Sequence, residues 1–184
     1  SLDSAGRLEV EDTSALPRCL VLSGCRGHSR RYRAWHFLEA LTHLGGSGSL
    51  IDADSRGLES SAGFLVEQVD FVVLQRAPLR SGVSALVSAA RRRSLPVFFD
   101  TDDLLFEDLS SVPQTDLVFD ASTAEDFRRS ISAADVCLCS TEFLAERLSR
   151  LHKEVCVLRN GFSQMMDRAA DRAWRAKLPN PRQQ

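Results

Sequence analysis

An α/β domain, doubly wound around a Rossmann-like and mostly parallel sheet with helices on both faces, is the fold the sequence predicts. Two observations predict it. Short apolar runs ending in turn residues alternate with segments of helical spacing from about residue 19 to residue 176. The apolar runs are also continuous rather than half-polar, the pattern of strands covered on both sides.

The elements follow in order. CLVLS (19–23) reads as the first strand and GCRGHS as its turn. A helix is expected from Arg31 to Leu44, with Trp35, Leu38, Leu41 and Leu44 on one side and Gly45-Gly46 as its stop. SLID (49–52) is the second strand, followed by a short helix around 57 to 66; DFVVLQ (70–75) is the third, and its helix runs to about Arg93. PVFFD (96–100) is the fourth strand. Next come a helix over 124–134, DVCLCS (135–140) as the fifth strand, a helix over 141–152 and EVCVLRN (154–160) as the sixth strand. Asn160-Gly161 makes a turn, and a last helix is expected over 163–176.

A chain of 184 residues, 43% hydrophobic, is the size of one domain with one core. Residues 1–16 are polar and aperiodic, so they read as a flexible leader; the tail AKLPNPRQQ reads as a linker. The net charge of −2 and pI near 6.1 leave no basic surface for a phosphate backbone, so no nucleic acid partner is expected. No apolar run approaches the roughly 18–20 residues of a membrane helix, and the N-terminus has no signal-peptide core. The five cysteines have no C-x-x-C spacing, so structural zinc is not expected. An odd number of thiols, with Cys19, Cys137, Cys139 and Cys156 in strand runs and expected buried and reduced, suits a cytoplasmic protein.

Ligands of such sheets bind beyond the carboxyl ends of the strands. There the sequence places GCRGHSRR, DADSR, QRAP, DTDD, STE and RNG. In SGCRGHSRRYR, Gly24 and Gly27 allow tight turns, His28 sits between them and the helix, and Arg26, Arg30, Arg31 and Arg33 add cations. With a helix start behind it, this is a candidate site for a diphosphate or anionic acceptor. The G-x-x-G spacing, with no G-x-G-x-x-G and no G-K-[ST], disfavours a dinucleotide fold or a P-loop.

In DTDD, the spacing of Asp100 and Asp102 fits three chemistries. It suits a metal-dependent sugar transferase, a Mg²⁺-dependent phosphatase or phosphotransferase with a nucleophilic Asp, or a general base for an acceptor hydroxyl. The phosphatase reading lacks a downstream acidic pair at a strand end. The bland alternative is a hydrated turn with one Asp as a cap. Glu59 and Glu67 mimic an E-x7-E pair without its glycine-rich setting, and Arg91-Arg92-Arg93 suits a helix C-terminus. His36 and His43 read as surface or packing residues of the first helix.

DFVVLQRAPL, LPVFFDTDDLLFE, ADVCLCSTEFLAERL and KEVCVLRNGFS, in that order and spacing, resemble the N-terminal half of bacterial GT-B glycosyltransferases with a group-1-type C-terminal domain. The resemblance spans about residues 18 to 165. It implies a Rossmann-like acceptor-side domain over 17–165, and a helix and linker over 166–184 leading to a C-terminal donor-binding domain. Together these would move a sugar from a nucleotide-sugar to a glycan or lipid-linked acceptor. The nucleotide-sugar would be a co-substrate held through that second domain, with no other cofactor and no bound metal. Polysaccharide biosynthesis would be the setting, with the full-length enzyme at the membrane periphery. By position, the resemblance makes Asp100, Asp102 and Asp103 candidates to position or deprotonate the hydroxyl. It makes Gly24, Arg26, Gly27, His28 and Arg30 a donor-diphosphate loop, and Arg76 an anchor for an anionic acceptor group. Asn160 would join the substrate-binding residues, and Asn160-Gly161 would be the hinge between domains. A non-catalytic module on the same fold is the remaining alternative.

Overall fold

The computed structural model describes residues 16–107, 121–161 and 164–177. Of the expected leader only Leu16 is among them, and the tail beyond Lys177 lies outside the described residues.

Strand β1 (Arg18–Ser23) leads through a turn into a π-helical segment, Arg30–Trp35, that continues as α1 (His36–His43). Then come β2 (Ser47–Asp52), α2 (Leu58–Glu67), β3 (Phe71–Gln75), α3 (Ser81–Arg92) and β4 (Val97–Thr101). The chain continues through α4 (Ala121–Ala133), β5 (Val136–Cys139), α5 (Glu142–Leu148), β6 (Val155–Val157) and α6 (Gln164–Lys177). The strands form one sheet in the order β2-β1-β3-β4-β5-β6, with all pairings parallel. The predicted class is the observed one.

Alternation along the strands separates two cores. Leu20 and Leu22 of β1 face one side, where they join Leu74, Phe99, Cys137 and the inward residues of α2, α3, α4 and α5. Cys19 and Val21 face the other and meet Ala34 and Leu38 from the π-turn and α1. Each fully buried leucine or phenylalanine stabilises the fold by about 1.5–3 kcal/mol, so the larger cluster dominates. On the smaller side Phe37, Phe71 and Phe98 form a chain of edge-to-face rings across α1, β3 and β4.

Two details depart from the expected pattern. The first helix opens with a π-turn rather than a regular α-turn. Such a turn holds more residues than an α-turn, so side chains three apart diverge more widely. Arg30 and Arg33 accordingly reach partners on opposite flanks of β1: Asp52 at the end of β2 and Asp100 in β4. Cys156 is exposed, not buried; it lies on the edge strand β6. Cys19, Cys137 and Cys139 are buried as expected, Cys25 is half-buried, and all five thiols are free. Burial pushes the Cys19 and Cys137 thiols up to about 12. No helix among the described residues is long and apolar enough to cross a membrane.

Candidate functional site

The chain leaves β1 for β2 on one flank and returns to β3 on the other, so the switch in strand order falls between β1 and β3. A parallel sheet opens a crevice at such a point. Gly24 makes the crevice possible: a Cβ there would lie 1.9 Å from the Arg76 carbonyl oxygen. Its N–H instead donates to the Gln75 carbonyl at 2.9 Å, locking the turn after β1 to the end of β3. Beneath it, buried Gln75 accepts from the Ser23 hydroxyl at 2.6 Å and donates through Nε2 to the Cys25 sulfur at 3.3 Å.

On the β2 side of this junction lies a cleft of about 520 Å³. Ser23 to Arg26 and Arg30 form one wall, and the first turns of α2 and α3 form the other. Gly82 brings those two turns together, because a Cβ there would already press on Leu58 at 3.1 Å. Arg30 is anchored by the Cys25 carbonyl (2.7 Å), the Ser23 hydroxyl (3.1 Å) and Asp52. Arg26 is exposed, 3.9 Å from Asp52. Gly27, at φ +80°, turns the chain in the left-handed region, and His28 is exposed on the same turn.

The DTDD segment is divided. Asp100 is sealed: Arg33 grips it through Nε (3.1 Å) and Nη2, and the two side chains are only 2% and 4% exposed. Burial pushes the Asp100 carboxyl above the usual carboxylate range, while the Arg33 bonds and charge pull against it. Asp102 is mostly covered but not sealed, with its side chain 14% exposed. It accepts from the Ser29 hydroxyl at 2.5 Å and faces Arg76 Nη1 at 3.4 Å. Arg76 Nη1 also donates to Ser29 Oγ at 2.6 Å and reaches Asp103, half exposed, at the same distance. Arg76 holds this position from a left-handed backbone, φ 47°, uncommon for a side chain with a Cβ. Thr101 supports the turn by accepting from the Asp103 N–H at 3.1 Å.

Three groups therefore stand at one edge of the sheet. Gly24, Arg26, Gly27, His28 and Arg30 belong to the cleft wall and its turn. Arg76, Asp102 and Asp103 form an open network with Ser29. Asp100 and Asn160 share Arg33, whose Nη1 donates to the Leu158 carbonyl and to Asn160 Oδ1 at 3.2 Å. The sequence showed Arg30 and Arg33 only as cations near the turn and His36 only as a surface or packing residue of the first helix; the partners of Arg33 and His36 were not visible in it. Ser29, Asp52 and Gln75 carried only the general signal of polar residues at strand ends. Glu59 stands on the cleft rim in the first turn of α2 and Glu67 at that helix's far end, so the two do not converge. Among the described residues no three of His, Cys, Asp and Glu come together as cation ligands.

No protein-family model matches the chain, and no curated protein matches it in sequence. Solved structures resemble the chain in part. One is an α-glucosyltransferase in complex with UDP, at 12% identity and a TM-score of 0.43, over 71% of this chain and 38% of that one. Another is an α-glucosyltransferase with UDP and a 13-mer DNA containing an HMU base, at 12% identity and 0.44, over 78% and 41%. A third is the UDP-rhamnose synthase of Acanthamoeba polyphaga mimivirus, at 11% and 0.42, over 68% and 56%. The chain thus spans between about two fifths and just over half of the structures it matches.

Proposed function

We propose that this domain is the acceptor-side half of a glycosyltransferase that moves a sugar from a nucleotide-sugar to a glycan or lipid-linked acceptor. The observation that carries the reading is the open network at the switch point. Asp102 is a carboxylate held at 2.5 Å by Ser29 and faced by Arg76 at 3.4 Å; Ser29 directly precedes Arg30, which lines the cleft of about 520 Å³. A carboxylate fixed at one oxygen by a hydroxyl and at the other by a guanidinium, with part of its surface still in water, can align an acceptor hydroxyl through a remaining lone pair. Asp103, further out on the same arginine, is the second carboxylate within reach. Asp100 would support this pair from inside the fold, because Arg33 already occupies both of its oxygens. Arg26 and Arg30 would face an anionic group of donor or acceptor across the turn held by Gly24 and Gly27. The nucleotide-sugar would be held mainly by a separate donor-binding domain, and polysaccharide assembly at a membrane periphery would be the setting.

Titration of the 184-residue chain with UDP and with short oligosaccharides or sugar phosphates, followed by NMR, tests the reading. Acceptor-type ligands are expected to shift resonances of Ser29, Arg76 and Asp102, and Asp102→Asn to weaken that binding. Ligands that shift only residues remote from the ends of β1, β3 and β4 would overturn it. So would the absence of any sugar-dependent shift.

A further inference from the structure

Arg33 is the buried arginine among the described residues, and its bonds run to two strand ends at once. Nε and Nη2 hold Asp100 in β4, while Nη1 donates to the Leu158 carbonyl and to Asn160 Oδ1, just past the end of β6. One turn further along the same helix, His36 Nδ1 lies 3.0 Å from the Gly161 carbonyl, and Nε2 lies 3.0 Å from Met166 Sδ at the start of α6. The segment from Leu158 to Gly161 is itself exposed, so no packing of its own fixes it. Its placement comes from these two side chains together with the Leu158 N–H, which donates to the Cys139 carbonyl at 2.8 Å, and Arg159, which donates to Glu142 at 3.1 Å.

The chemistry of the contact determines how Asn160 stands. A guanidinium has only donors, so the side-chain atom of Asn160 turned toward Arg33 must be its carbonyl oxygen. The amide nitrogen, with two N–H donors, is therefore turned away from Arg33. We propose that Arg33 is a positioning residue: it orients Asn160 so that a pair of amide donors is presented at the end of β6, facing a ligand rich in acceptor oxygens, such as a phosphate or a sugar carboxylate. The assignment of that ligand to the acceptor rests on the function proposed above; the orientation of Asn160 by Arg33 does not. The same grip makes Leu158–Gly161 a fixed exit from the sheet rather than a free hinge, so any swing of a following domain begins beyond Gly161.

The test is made on the free chain, so it does not depend on finding the substrate. Replacing Arg33 alone strands the Asp100 carboxylate in the interior and threatens the fold. The measurement therefore uses the double variant Arg33→Met with Asp100→Leu, which removes both charges and keeps apolar volume. In the wild type the Asn160 side-chain amide is expected to give two separated NMR signals, distinct from those of free asparagine. The Leu158–Gly161 backbone amides are expected to exchange slowly for an exposed segment. In the double variant the two signals should move to the free-asparagine position and the Arg159–Gly161 amides exchange tenfold faster or more, while Leu158, whose N–H donates to the Cys139 carbonyl, and the β1 and β3 amides stay protected. Unchanged Asn160 signals and unchanged exchange in a folded double variant would overturn the proposal. If the double variant does not fold, Asn160→Asp decides. It keeps an oxygen for Arg33 but replaces the outward donors by a second oxygen. Inorganic phosphate titrated into the chain should then bind at least tenfold more weakly to Asn160→Asp than to wild type, and equal binding would overturn the proposal. Loss of sugar binding with the Asn160 signals intact would count against the functional reading alone.

Discussion

Arginine–aspartate pairs stand at both ends of the sheet, and the two ends use them differently. At the amino ends of the strands, Asp70 accepts from the Arg18 backbone and side chain at 2.8 and 2.9 Å, and Asp135 accepts from Val97 N–H at 2.8 Å and Arg91 at 2.5 Å. Those side chains are close to half exposed. At the carboxyl ends, Arg33 and Asp100 are sealed, and Arg76 and Asp102 are only 12% and 14% exposed. An exposed pair that also accepts a backbone N–H caps a strand at small cost and small gain. A buried pair must recover a large desolvation cost through several bonds, and removal of either partner is expensive. The contrast assigns the amino end to holding strands in register. It assigns the carboxyl end to fixing groups whose positions matter.

The largest expected effect is at the sealed pair. Arg33→Ala should destabilise the domain by about 3–5 kcal/mol, because Asp100 is left buried without its partner. Asp102→Asn, two residues along, less deeply buried and able to keep the Ser29 bond through its amide oxygen, should cost about 1 kcal/mol. Urea denaturation of both variants measures the difference. Equal costs would erase the distinction between the sealed and open carboxylates.

Gly24→Ala comes next. A methyl group 1.9 Å from a backbone oxygen cannot be absorbed by a side-chain rotation, so β1 and β3 must part locally. A loss of about 1–3 kcal/mol is expected, with thermal unfolding as the measurement. A neutral result would mean that the crevice between the strands is wider than it stands here.

Asp135→Asn gives the smallest effect and sharpens the comparison through pH. Burial alone pushes the Asp135 carboxyl up, but the Val97 N–H and the bonds and charge of Arg91 together hold it below the usual carboxylate range. A carboxyl depressed in the folded state adds stability that is present above its unfolded value and lost as pH falls through its folded value. Wild type should therefore be slightly more stable than the variant above the ordinary aspartate range, and the difference should vanish as pH falls through and below that range. Asp100, raised by burial, has the opposite sign: its contribution is lost as pH rises from the unfolded to the folded value. Denaturation curves across this range separate the two ends.

The layout of the fold was legible because it rests on local patterns. Continuous apolar runs such as CLVLS and DFVVL announce strands buried on both faces, and Gly45-Gly46 announces the end of α1. The edge position of β6 was not legible, and so Cys156 was expected inside. The site was legible only as a set of strand-end segments. DTDD reads as one acidic cluster, and nothing in its spacing says that Asp100 turns inward while Asp102 and Asp103 stay within reach of solvent. That division follows from where β4 ends and from which arginine arrives from elsewhere in the chain.

What the sequence by itself determined is the class of the domain and the edge at which its polar chemistry gathers, because hydrophobic period and turn residues act over a few neighbours. Only the tertiary structure decided the partners: Arg33 with Asp100 and Asn160, Arg76 with Asp102 and Ser29, and Gly24 against Arg76. Those contacts join residues 26 to 127 positions apart. Charge and shape select such partners only after the sheet order has brought the strand ends together.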